Sequence, residues 1–226
     1  MYRKNAVTAG MLILISLTVA YSTTGLIPML YAAGKSAALN SYHFKAQLSL
    51  LGSFLDGLAC AGIGAALYPA LRKRNSGLAM GTVVFHGIQG VMRLLSTVAL
   101  VSMLSLMQSA AGLDDVGTAM QGLLGANNAL VFAGLCCGGI GGLLACLALY
   151  RQKSIPSWLA LWGLITMALH LLSGVLAFLG FYSLQSLQAR AIHILASVQQ
   201  LAFALWLIVK GFLQREQPKE VIEMPR

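Results

Sequence analysis

The sequence predicts an all-α fold, an integral membrane bundle of six transmembrane helices with both termini cytoplasmic. Three observations lead there. Of 226 residues, 58% are hydrophobic and only 9% charged, against about 25% charged in a soluble domain. The apolar residues gather into six runs, each long enough for the roughly 20 residues that a spanning helix needs. The 15 Lys and Arg fall almost entirely in the breaks between runs and at the chain ends, where topology places them. A mean hydropathy of +0.79 excludes a water-soluble globular enzyme, a disordered chain, a secreted disulfide scaffold and a nucleic-acid-binding domain. The net charge of +9 is a topological signal, not a polyanion site.

The runs cover residues 6–30, 46–71, 78–107, 128–150, 156–181 and 191–212. The first follows Arg3-Lys4 and is read as an uncleaved helix, because it is long for a signal peptide. The second ends at Arg72-Lys73-Arg74-Asn75-Ser76-Gly77, a tight polar turn into the third. A longer loop with Asp114-Asp115 precedes the fourth, whose end at Arg151-Gln152-Lys153-Ser154-Ile155-Pro156 sets Pro156 at the start of the fifth. Residues 1–213 make one transmembrane domain, and residues 214–226 a polar cytoplasmic tail.

Orientation follows from charge. With the amino terminus inside, eleven basic residues lie inside: Arg3, Lys4, Arg72, Lys73, Arg74, Arg151, Lys153, Lys210, Arg215, Lys219 and Arg226. Three lie outside, namely Lys35, Lys45 and Arg190, and Arg93 sits within a helix. This bias puts both ends on the cytoplasmic side. Trp158, Trp162 and Trp206 then lie near the inner boundary. Cys60, Cys136, Cys137 and Cys146 all fall in apolar runs without C-x-x-C spacing and read as small packing residues. Leu67-Tyr68, a basic turn and Leu78-Ala79 are echoed about 82 residues later, a weak sign of duplication.

Several stretches carry a family resemblance: Leu67-Tyr68-Pro69 with Arg72-Lys73-Arg74-Asn75, then Ile155-Pro156-Ser157-Trp158-Leu159-Ala160 with Trp162-Gly163, and Ala204-Leu205-Trp206-Leu207-Ile208-Val209-Lys210-Gly211-Phe212. Together they resemble domain of unknown function 4386 (DUF4386), a family of bacterial multi-helix membrane proteins. The resemblance implies a six-helix integral membrane fold and brings no activity, cofactor or partner. Members tend to carry Arg and, three positions on, Glu in the third helix; His86 and Gln89 stand at those positions here.

Ionisable residues at membrane depth are the best functional pointers. Asp56 and Arg93 lie midway along runs two and three, and the turn between those runs contains their sequence midpoint. Equal arms of an antiparallel hairpin put both at one depth, roughly 24 Å from the inner helix ends at 1.5 Å per residue. Neutralising one another, they make an expected ion pair. Polar faces accompany them: Ser49, Ser53, Gly57, Cys60 and Gly64 on helix two, His86, Gln89 and Gly90 on helix three, Thr166, His170 and Ser173 on helix five, His193, Ser197 and Gln200 on helix six. Converging, these would enclose a buried polar site of Asp56, Arg93, His86, Gln89, His170 and Gln200. His86 is a candidate proton acceptor near neutral pH. Gly134, Gly138 and Gly142 form two small-xxx-small steps on helix four, suited to packing within the chain or to homo-oligomerisation.

The expected partners are the lipid bilayer, a small solute or ion, and a second copy through helix four, without nucleic acid. No catalytic constellation, cofactor motif or metal motif is present. Two other readings stand beside a non-enzymatic solute- or ion-binding protein. One is a structural or interaction protein of the stress or immunity type. The other is an intramembrane metal hydrolase using His86, His170, His193 and Asp56, against which the depths of His86 and His193 differ by roughly 15–20 Å.

Overall fold

A computed structural model describes residues 2–23, 39–109, 116–181 and 186–213. Among these residues there are six α-helices and no strand: α1 Tyr2–Thr23, α2 Leu39–Leu71, α3 Ser76–Ser109, α4 Val116–Gln152, α5 Ser157–Phe178 and α6 Leu187–Val209. Each holds a stretch long and apolar enough to cross a bilayer. Lys35, Asp114, Asp115, the end of the first run and the tail from residue 214 lie outside the described residues.

The surface confirms the solvent. Ile88, Val91, Leu95 and Val98 of α3 recur at helical spacing and are all exposed. An outward apolar stripe of this kind is stable against lipid chains and not against water. The chain is a multi-pass membrane protein.

Helix ends follow local chemistry. The Asn75 side-chain oxygen accepts a hydrogen bond from Leu78 N at 3.0 Å and so caps the start of α3. α4 closes with Ser154 N donating to Leu149 O and Lys153 N to Tyr150 O, at 3.2 and 3.1 Å. This Schellman pattern needs a left-handed residue, and Lys153 supplies it with φ 51°. Pro156 then stands at the N-cap of α5.

Two helices are longer than their apolar runs suggest. α2 begins at Leu39 and α4 at Val116, against expected starts at 46 and 128. The extension of α4 has a reason: Met120, Leu123 and Leu124 lie at helical spacing and pack on Ala46, Leu50, Leu100, Met103 and Leu104. The polar residues between them masked this face in a search for continuous apolar runs.

Each helix packs against its sequence neighbours, and α6 returns to α1, so the helices form a closed ring. α5 and α6 make the thinnest seam in it. One end of the ring gathers the basic turns. Gln152 Nε2 donates to Leu71 O at 2.7 Å, Arg74 Nη1 to Arg151 O at 3.3 Å, and Leu213 N to Ser154 O at 2.7 Å. Trp158 and Trp162 stack nearby with ring centroids 6.4 Å apart. The main apolar core fills the ring at this basic end, drawing Ala9, Leu67, Ala79, Leu149, Leu159 and Leu207 from all six helices.

Candidate functional site

Midway through the membrane the packing changes character. Arg93 Nε on α3 lies 3.6 Å from Asp56 Oδ2 on α2, an ion-pair contact slightly longer than a hydrogen bond. Asp56 is 3% exposed, whereas the Arg93 side chain keeps 30% of its surface open. The two helices can meet here because Gly57 and Gly90 face each other. A Cβ on Gly90 would stand 2.6 Å from the Gly57 carbonyl oxygen.

The second carboxylate oxygen is also occupied. Ser16 Oγ of α1 donates to Asp56 Oδ1 at 2.5 Å, and Cys60 Sγ lies 3.6 Å from the same atom. A charged acceptor in hydrocarbon therefore has a cation on one oxygen and a hydroxyl on the other, as a buried charge requires.

Beside this cluster is a cavity of about 90 Å³ bounded by side chains of all six helices. Its polar wall consists of Ser16, His86, Gln89, His170, Gln199 and Gln200. Asp56 and Arg93 are not part of the wall. They stand behind it and reach it through Ser16 and Cys60, which line the cavity and contact Asp56. Of the six residues singled out in the sequence, four thus line one cavity and two form the adjoining ion pair.

The α4 glycines make the room for this wall. A Cβ on Gly138 would meet the Gln89 amide at 2.5 Å, one on Gly141 would meet His86 Nδ1 at 2.5 Å, and one on Gly142 would meet Met167 Sδ at 2.6 Å. Gly134 is faced by Met92. This glycine face is filled from within the chain by α3 and α5.

The imidazoles are held differently. His86 Nδ1 lies 2.9 Å from Thr82 O. A carbonyl only accepts, so Nδ1 carries the hydrogen and Nε2 is left as an acceptor. His170 has its Nδ1 buried without a hydrogen-bond partner. Its ring meets that of His193 edge to face, with centroids 4.9 Å apart. Thr166 and Ser197 spend their hydroxyls on backbone carbonyls of their own helices, on Trp162 and Gly163 and on His193. Of the expected polar faces of α5 and α6, His170 and Gln200 line the cavity, with Gln199 beside them. Among the described residues no three His, Cys, Asp or Glu side chains gather as a metal-ligand set.

Three features escaped the sequence reading. Ser16 is a lone hydroxyl in an apolar run, and only packing reveals its role. Gln199 is almost fully buried and lies against Gly163 of α5; the Gln199-Gln200 doublet was its only signal. Ser96 Oγ donates to Asn127 Oδ1 at 2.7 Å between α3 and α4, and Asn127 falls in the part of α4 read as loop.

The DUF4386 family, described as a domain of unknown function, matches residues 7–211. No curated protein and no solved structure matches the chain. The chain belongs to the DUF4386 family.

Proposed function

We propose that this member of the DUF4386 family is a multi-pass protein of the bacterial cytoplasmic membrane, with both ends inside, that binds or passes a small polar solute or ion rather than catalysing a reaction. The observation that carries this is the cavity: polar side chains from α1, α3, α5 and α6 line one cavity midway along the helices. Polar groups in hydrocarbon are costly when unsatisfied. A cavity of about 90 Å³ with polar side chains on one wall and apolar ones over the rest has room for a few waters or an ion of similar size. Asp56 and Arg93 cancel in charge and fix α1, α2 and α3 around the opening. The basic turns gathered at one end support the inward orientation.

The test is thermal unfolding of the purified protein in detergent with ammonium, sodium, potassium, chloride, formate or urea added separately. A ligand that binds only the folded state raises the melting temperature. At least one of these probes should stabilise the protein, and the effect should vanish in Gln89→Leu, which keeps the volume over Gly138 and removes the amide. Six flat titrations, or an equal shift in the variant, would refute the reading.

The tight Gly57–Gly90 crossing beside the ion pair favours a second reading, in which Asp56 and Arg93 only lock the register of α2 and α3. That reading predicts no ligand response at all.

A further inference from the structure

The polar wall of the cavity has a hydrogen-bonding sense of its own. Ser16 Oγ gives its one hydrogen to Asp56 Oδ1, so toward any other group it can only accept. His86 gives its Nδ1 hydrogen to Thr82 O, and its Nε2 can only accept. Both residues line the cavity, together with Gln89, Gln199 and Gln200. A glutamine amide has a carbonyl oxygen and an NH2 group and can present either one. Gln199 is only 2% exposed, and among the described residues no hydrogen bond is made to its amide. His170, on the same wall, has its Nδ1 buried without a partner. Buried polar groups normally find partners, and here the cavity is where a partner can come from.

The wall also lacks charge. Among the described residues no Asp, Glu, Lys or Arg lines the cavity. Asp56 and Arg93 stand outside it and cancel each other at 3.6 Å. Both Asp56 oxygens are taken, one by Arg93 and one by Ser16. A cation in the cavity therefore finds acceptors but no carboxylate free to pair with it. An anion finds no fixed donor and faces the acceptors of Ser16 and His86. Either would be an unpaired charge at membrane depth, which is costly. The rest of the lining is apolar, with Ile13, Ile63, Leu67, Met167 and Phe203.

We infer that the cavity is a binding site for a small uncharged amide, of which acetamide and urea are the simplest members. This rests on the reading of the cavity as a ligand site and narrows its ligand to one chemical class. The NH2 group of such a molecule brings donors for the acceptors that Ser16 and His86 present. Its carbonyl oxygen accepts from the glutamine amides, which turn to suit it. It carries no charge to be compensated, and a short alkyl end meets the apolar side. About 90 Å³ holds a molecule the size of a few waters.

The experiment is thermal unfolding of the full chain in detergent with ligands of matched shape. Acetamide, acetone and acetate differ in charge and in N–H donors, and urea and guanidinium differ in charge. All are used at millimolar concentration, far below the molar range in which urea and guanidinium denature. Acetamide and urea should raise the melting temperature saturably, by about 3–5 °C at roughly tenfold excess over the dissociation constant. Acetone, acetate and guanidinium should leave it unchanged. Gln200→Leu, which removes an amide from the wall, should weaken the acetamide response at least tenfold. If that variant fails to fold, Gln89→Leu gives the same readout. The inference is overturned if acetone, acetate or guanidinium stabilises as well as the amides, or if the folded variants respond to acetamide as wild type does. A response to an ion with none to the amides removes the amide assignment and leaves a ligand site. No response to any ligand removes the ligand site as well.

Discussion

At the scale of single residues, the membrane interior raises the importance of each hydrogen bond to a charge. Ser16 illustrates this. Its hydroxyl meets the Asp56 oxygen that Arg93 leaves free. Hydrogen bonds to charged groups contribute about 1.5–3 kcal/mol. Ser16→Ala should therefore lower the unfolding free energy by about 2 kcal/mol, measured by denaturant titration in mixed micelles, whereas Ser16→Thr should restore most of it. Gln152 plays a comparable part at the basic end, where its amide satisfies the terminal Leu71 carbonyl of α2. Neither role can be read from sequence. Ser16 sits among Leu, Ile and Thr without periodic signal, and Gln152 looks like an ordinary turn residue. Asp56 and Arg93 were legible because a charge in an apolar run is rare and because hairpin geometry fixes depth.

At the scale of elements, glycine decides which helices approach closely. Gly90 and Gly87 are one turn apart on α3 and differ completely in surroundings. A Cβ at position 90 would stand 2.6 Å from the Gly57 carbonyl and 2.9 Å from the Ala61 Cβ, whereas one at position 87 meets nothing within 4 Å. Gly90→Ala should destabilise by about 1–3 kcal/mol through overpacking. Gly87→Ala should be neutral or stabilise by up to about 1 kcal/mol through helix propensity. Thermal melts of the two variants side by side check this. The left-handed Lys153 at the end of α4 gives a third case. Lys153→Gly relieves about 1–2 kcal/mol of backbone strain and adds about 0.4–1 kcal/mol of chain entropy to the unfolded state. A small net gain in melting temperature is expected.

The sequence made these elements visible unevenly. Long apolar runs located all six helices, because a bilayer demands continuous apolar length. The first three turns of α4 were missed, because their apolar face faces other helices and their remaining residues are mostly Gly, Ala, Thr, Gln and Asn. The small-xxx-small spacing of the α4 glycines is visible in the sequence. That they make room for Gln89 and His86 depends on the relative rotation of α3 and α4, which no single-helix pattern contains.

At the scale of the whole molecule, the ring places an apolar core at the basic end and a cavity with one polar wall midway along the helices. The proposed orientation has the basic end in the cytoplasm. Reporter fusions after residue 226 and after residue 74 should therefore both report the inner side, and a fusion after residue 181 the outer side. Which helix follows which around the ring could not be derived from hydropathy, since all six helices are similarly apolar. It comes from the glycine contacts and the buried polar pairs.

The account depends most on an acid and a base at one depth in hydrocarbon, each making the other tolerable. A double-mutant cycle on Asp56→Asn and Arg93→Gln tests this directly. Each single change should cost about 3–5 kcal/mol by leaving a charge unpaired. The double variant should recover much of that loss, giving a coupling of about 2 kcal/mol or more, well above the ~0.6 kcal/mol typical of interhelical hydrogen bonds in bilayers. Additive losses, with no coupling between the two positions, would contradict the account.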